Sequence, residues 1–131
     1  MGDGRQEFIR DLFERWNRGV RELRPAEIAP DAIVKLALTG GTYRGHDGIK
    51  KWMAEIDEQF DSWKVSIDEM EDRPDDRVLV IGSVHFRGRA SGLEFDQPIG
   101  WMNTFDGDQV TEMHIFSDHS AARDAANAPS P

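Results

Sequence analysis

The chain has 131 residues, 16 Lys and Arg against 25 Asp and Glu, a formal net charge of −9 and no cysteine. A length near 130 suits one compact domain with its own core, and the absence of thiols excludes a disulfide frame, a cysteine nucleophile and a cysteine zinc site. The acidity argues against binding a phosphate backbone, and no run is apolar for long enough to span a bilayer, so a cytoplasmic protein with neither nucleic acid nor membrane as partner is expected.

Between Arg5 and Leu23, apolar residues at Phe8, Ile9, Leu12, Phe13, Trp16 and Val20 recur at spacings of one, three and four. This predicts a long amphipathic helix, with Gly19 near its end and Pro25 beyond. A short turn is expected around Ala26 to Ile28. Ala32 to Leu38 is aliphatic and partly β-branched, and Gly40-Gly41 ends it, so it reads as a short lone strand. Asp47 is a favoured N-cap residue, and Ile49, Trp52, Met53, Ile56 and Phe60 mark the buried stripe of a second helix.

From Trp63 the period changes to two. Trp63, Val65 and Ile67 alternate with Lys64, Ser66 and Asp68, and further strands are expected over Arg77 to Arg89, Leu93 to Phe105 and Gln109 to Ser117. Ser120 to Ala126 reads as a short Ala-rich helix capped by Ser117 or Asp118, and Asn127 to Pro131 as a disordered tail. Residues 67–131 hold 5 basic and 13 acidic side chains, and six of those acids fall in Asp68–Asp76 around Pro74, a stretch expected to be a solvated turn. The reading is a single α+β domain over residues 1–126, with helices covering one face of a curved sheet built on a four-stranded antiparallel meander.

Four local patterns occur in a definite order. Trp16-Asn17-Arg18-Gly19 looks like an aromatic-Asn-x-Gly helix end, and Tyr43-Arg44-Gly45-His46-Asp47-Gly48-Ile49 looks like a Y-x-G-x-x-x-I lead-in to the next helix. Ser91-Gly92 to Asp106-Gly107 looks like a strand pair with its turn, and Ile115-Phe116-Ser117-Asp118 like a closing strand and helix. Together they resemble the SnoaL-like family of the nuclear-transport-factor-two-like superfamily, over residues 5–126; the family's Gly-Asp after the first helix is missing, since Val20 follows Gly19. The resemblance implies a cone, or cystatin-like α+β barrel, in which a strongly curved antiparallel sheet wraps round N-terminal helices and encloses a pocket. Its members include polyketide cyclases, steroid isomerases, dehydratases, epoxide hydrolases and non-catalytic binding proteins, so the fold does not choose the function.

Strand alternation gives each strand two faces. The more apolar lists are Val78, Val80, Gly82, Val84 and Phe86, then Gln97, Ile99, Trp101, Asn103 and Phe105. In the last strand Met113 and Ile115 compete with Glu112 and His114, and the resemblance favours the first pair. The expected pocket is lined by Trp16, Leu36, Leu38, Trp52, Ile56, Phe86, Trp101, Asn103, Met113 and Ile115, with Tyr43 near the mouth. Such a wall suits a small hydrophobic molecule, and the resemblance implies one of polyketide, steroid or terpenoid kind. The same side chains could equally fill one another's space as core, and Asn103 reads either as the pocket's polar group or as a hydrogen-bonded core amide.

The isomerase-like members of the family use a pocket carboxylate to move a proton. At the corresponding strand positions this chain has Leu36 and Trp101, and no inward list contains an Asp. Weak catalytic candidates remain: His114 beside Glu112 if the last strand takes its other register, Asp96 if its strand bulges, and Asp118, which also reads as a helix cap. The outward lists carry His85 and an apolar set, Leu79, Ile81, Met102 and Phe116, which looks like a surface needing cover and suggests a homodimer through the sheet face. Three functions stay open: a binding protein for a hydrophobic molecule, a cofactor-independent lyase, isomerase or cyclase acting on a hydrophobic carbonyl compound, and a dimeric interaction module. No cofactor or metal is expected, since there is no phosphate-binding glycine loop, no Gly-x-Ser-x-Gly and no His-x-His pairing.

Overall fold

A computed structural model describes residues 2–127, which form three helices and a six-stranded curved sheet. Helix α1 spans Gly2–Asn17. It stops short of Leu23 because Gly19, at φ +84°, takes the left-handed conformation of a Schellman cap, with its N–H on the Trp16 carbonyl and the Val20 N–H on the Arg15 carbonyl, both at 2.9 Å. Strand β1 is Ile28–Leu36 and β2 is Thr42–Arg44. Helix α2, Gly45–Gln59, begins before Asp47; no side chain caps it, and Asp47 instead places its carboxylate in the first turn, where the helix dipole favours negative charge.

The strands β3 (Phe60–Arg73), β4 (Arg77–Gly88), β5 (Glu94–Asp106) and β6 (Gln109–Phe116) form the antiparallel meander, and α3 (His119–Asn127) follows. The sheet order is β2-β1-β6-β5-β4-β3. The strand expected to stand alone, β1, runs parallel to β6, with Val34 opposite Met113 and Leu36 opposite Ile115, and antiparallel to β2. Three residues are too few for a periodic signal, which is why β2 went unexpected. Most of the acidic Asp68–Asp76 stretch is strand rather than turn. Only residues 74–76 turn, and Asp75 and Asp76 both take positive φ, which Asp tolerates better than most residues. Beside Gly82, β3 bulges between Ile67 and Glu69; a Cβ on Gly82 would lie 2.0 Å from the Ser66 carbonyl oxygen, so only glycine allows the strands to approach there.

The main core joins Ile9, Leu12, Phe13 and Trp16 of α1 and Ile49, Trp52 and Met53 of α2 to the inward side chains of the sheet, including Val78, Val80, Val84, Trp101, Phe105 and Met113. This is the register with Met113 and Ile115 inward. On the other face Ala122 and Ala126 of α3 pack against Leu79, Ile81, Met102 and Phe116, all buried. The apolar set expected to need a partner is thus covered by the chain's own last helix. Arg77 holds the end of that helix, donating to the carbonyls of Ala125 and Ala126 at 3.3 Å. Asn127, expected in the tail, closes α3, and residues 128–131 lie outside the described residues. Among the described residues no helix is long and apolar enough to cross a membrane.

Candidate functional site: an indole-walled cavity

A cavity of about 170 Å³ lies between the two long helices and the inner face of the sheet. Helical spacing aims Trp16 of α1 and Trp52 and Ile56 of α2 at it, while strand alternation supplies Trp63 and Val65 of β3, Val84 and Phe86 of β4, and Ile99 and Trp101 of β5. Leu36 of β1 and Ile115 of β6, opposite each other in the parallel pair, complete the wall. All four tryptophans of the chain take part, and among the described residues no lining side chain ionises. Trp16, Trp52, Trp63, Val65, Val84 and Trp101 are buried, whereas Leu36, Ile56, Phe86, Ile99 and Ile115 are half-buried, so the second group marks the side nearer solvent. A smaller void of about 20 Å³, which Leu12, Ile49 and Met113 help to line, shares Trp16 and Trp52 with the larger one.

Ring packing fixes the indoles. Trp16 stacks on Phe13 with centroids 5.1 Å apart and meets Trp52 edge to face at 6.3 Å. Trp63 donates from Nε1 to Asp57 Oδ1 at 2.8 Å and lies under the Arg21 guanidinium, 4.3 Å from its centroid. Burial pushes the Asp57 carboxyl up, but the hydrogen bonds from Arg21 and Trp63 outweigh it and hold the group below its ordinary value, so it stays ionised behind the wall. The Trp16 Nε1–H is different: the residue is 4% exposed and no acceptor among the described residues lies within hydrogen-bond reach.

Of the residues expected in the pocket, Trp16, Leu36, Trp52, Ile56, Phe86, Trp101 and Ile115 share this cavity, and Met113 lines the smaller void. Asn103 is 0% exposed and lines neither; its Nδ2 approaches the Val78 carbonyl at 3.5 Å and its Oδ1 has no partner among the described residues. Tyr43 packs on the core, and its hydroxyl donates to Glu55 at 2.8 Å, which holds its proton above the usual phenol range. Leu38 corrects an expectation: β1 ends at Leu36, the turn closed by the Gly40 N–H on the Leu36 carbonyl follows, and Leu38 is 79% exposed. Trp63, Val65, Val84 and Ile99 were absent from the expected lining, although alternation along their strands carried the signal.

None of the weak catalytic candidates reaches the cavity. His114 lies on the outer face with its ring 4.4 Å from that of Phe116, and burial there pushes its pKa down. Glu112, which would have oriented it, is ion-paired with Lys35 at 3.2 Å. Asp96 stands on the outside of β5, where it accepts from His85 Nδ1 at 2.8 Å while Glu94 takes Nε2 at 3.0 Å; together the two carboxylates raise the His85 pKa, Glu94 contributing most. Asp118 caps α3, accepting the Ser120 N–H at 2.7 Å. Among the described residues no group of three or more His, Asp or Glu could hold a metal ion.

Comparison with known proteins gives the fold its relatives. Solved structures with the same fold include TerC co-crystallised with polyporic acid, at 20% identity and a TM-score of 0.77, covering 95% of this chain and 99% of that one. A candidate SnoaL-like polyketide cyclase from Jannaschia sp. CCS1 is 22% identical with a TM-score of 0.77, over 98% of this chain and 94% of its own. An NTF2-like protein of unknown function from Burkholderia pseudomallei K96243 is 17% identical with a TM-score of 0.77, over 95% and 98%. No functionally curated protein matches the chain. The model of the SnoaL-like domain matches residues 9–113, and the chain belongs to that family.

Proposed function

We propose that this SnoaL-like domain binds a small hydrophobic molecule in the indole-walled cavity and performs no acid–base chemistry on it. The observation that carries the reading is the wall itself, eleven side chains among which none ionises. A proton transfer needs a titratable group within hydrogen-bond reach of the substrate, and His114, Asp96 and Asp118 are all engaged elsewhere. Volume narrows the ligand class. An apolar cavity of about 150 Å³ accommodates a molecule of benzene size, so about 170 Å³ suits one or two rings; a steroid or polyketide frame would extend through the side bounded by Leu36, Phe86 and Ile115. The co-crystallisation of TerC with polyporic acid supports ligand binding by this fold.

Methyl-resolved NMR tests the proposal with acetophenone as the probe. Saturable shifts at Ile56, Val65, Val84, Ile99 and Ile115, with Leu79 and Ile81 on the opposite face unmoved, are the expected outcome. Shifts spread over surface methyls, or none, would contradict it. Because no wall residue titrates, the affinity is expected to stay constant between pH 5 and 9, roughly the range in which histidine and perturbed carboxylates change charge. An affinity that follows a single ionisation would favour the lyase, isomerase or cyclase reading instead.

A further inference from the structure

The half-buried side of the cavity lies at one end of the sheet, and strand direction fixes what stands there. Antiparallel pairing sets the end of β6 beside the early part of β5, the end of β4 beside the start of β5 and the start of β3 beside the end of β4, while the parallel pair adds the end of β1 at Leu36. Among the described residues four large apolar side chains are exposed, and three belong to this end. Leu38 follows β1, Leu93 closes the turn between β4 and β5, and Phe95, 41% exposed, begins β5. Single exposed apolar residues are ordinary, but apolar surface continuous with a cavity wall marks a binding surface.

That continuity is aromatic. Phe86 lines the cavity, pairs with Phe95 across β4 and β5, and stacks on it with centroids 5.3 Å apart. Phe60, at the start of β3, meets Phe86 at 4.6 Å and Phe95 at 6.1 Å. Alternation puts Phe86 on the face of Val84 and Phe95 on that of Ile99, both of them wall residues. The trio is also braced. The Gly88 N–H donates to the Leu93 carbonyl at 2.8 Å, and Arg89 donates to the Asp57 carbonyl at 2.7 Å and to that of Phe60 at 3.4 Å. A surface held in this way loses little freedom when it is covered. The charges flanking it are compensated, Arg89 by Asp61 at 3.0 Å and His85 by Glu94 and Asp96, so a neutral chain suits it better than a charged one.

Since an apolar cavity of about 150 Å³ holds a molecule of benzene size, one ring takes up most of about 170 Å³, and a long substituent has to leave by the half-buried side. We infer that the ligand has two parts: a ring seated among the indoles, and a neutral aliphatic chain laid across Phe60, Phe86 and Phe95. This rests on the binding reading above and adds to it a specificity-determining surface outside the cavity, one that selects chain-bearing rings over bare ones.

Calorimetric titration of wild type and Phe95→Ala with acetophenone, 4-ethylacetophenone and 4-butylacetophenone tests it. A fully buried methylene tightens binding about fourfold, so the butyl compound, covered by the trio on one side, should bind wild type at least about tenfold more tightly than acetophenone, the ethyl compound falling between. In Phe95→Ala that ratio should drop below about threefold, since the ring that covers the chain is gone. Nuclear Overhauser contacts in wild type do not depend on any variant folding, and the terminal butyl methyl should contact the Phe95 ring. Contacts from that methyl to Leu12, Ile49 or Met113 at the smaller void instead, or a butyl preference unchanged in Phe95→Ala, would overturn the inference and leave the binding reading standing. So would a wild-type dimer, seen by sedimentation, that Phe95→Ala dissociates, because a second copy would then cover the trio. Binding of none of the three compounds would overturn both.

Discussion

Asn17 ends α1 and acts as a strand partner for Val65, donating from Nδ2 to its carbonyl at 2.9 Å and accepting its N–H on Oδ1 at 2.7 Å. Because β3 is the last strand of the sheet, those backbone groups have no strand beyond them, so Asn17→Ala is expected to lower unfolding free energy by about 1–3 kcal/mol in urea titration; an unchanged midpoint would refute the clasp. The two sheet-surface histidines should respond to pH in opposite senses. His85 gains carboxylate partners and its pKa rises above its ordinary 6.5, so its contribution is complete below that value and is lost as pH rises through the folded pKa. For His114 burial lowers the pKa, so stability is complete above 6.5 and is lost as the pH falls. Comparing unfolding midpoints from pH 5 to 9, His85→Gln should lose most at the acidic end and His114→Phe should flatten the acidic decline. Single residues were only partly legible in the sequence. The face of His114 was open on the residues alone and followed only from the register that the family resemblance favoured, and the unpaired Trp16 N–H was not legible at all, because an orphan is defined by everything that fails to reach it.

At the scale of elements, the docking of α3 is the feature the sequence concealed. Leu79, Ile81, Met102 and Phe116 were recognisable as an apolar face, yet nothing in a short Ala-rich segment says which surface it will cover. The small residues explain the fit afterwards: Ala122 sits so close to Gly100 that a Cβ there would lie 2.3 Å from its own. Gly100→Ala is therefore expected to push α3 off the sheet and to destabilise by about 1–3 kcal/mol, the usual range for overpacking. Gly100→Ala with Ala122→Gly should recover only part of that, since glycine in a helix costs about 1 kcal/mol. Equal thermal midpoints for wild type and Gly100→Ala would show that the contact is slack. The helix ends teach the converse lesson, for Gly19 was visible as a stop signal and the Schellman cap uses it, although continuing apolar spacing to Val20 had suggested a longer α1.

For the whole molecule, the architecture was legible because long strands with period two and two strongly striped helices leave few ways to bury both sets of apolar faces. The list of inward residues was largely legible too, since Trp16, Leu36, Trp52, Ile56, Phe86, Trp101 and Ile115 do converge. What the sequence could not show is that they leave a void, because a cavity is a small difference between the volume the backbone encloses and the volume its side chains fill. The central claim, that this void is a ligand site, is tested most directly by titrating acetophenone into wild type and Val84→Phe in a calorimeter, with circular dichroism confirming that the variant is folded. Saturable one-to-one binding by wild type, weakened at least about tenfold when the introduced ring occupies the space, is the expected result; no saturable binding by wild type, or an unchanged affinity in the folded variant, would contradict it.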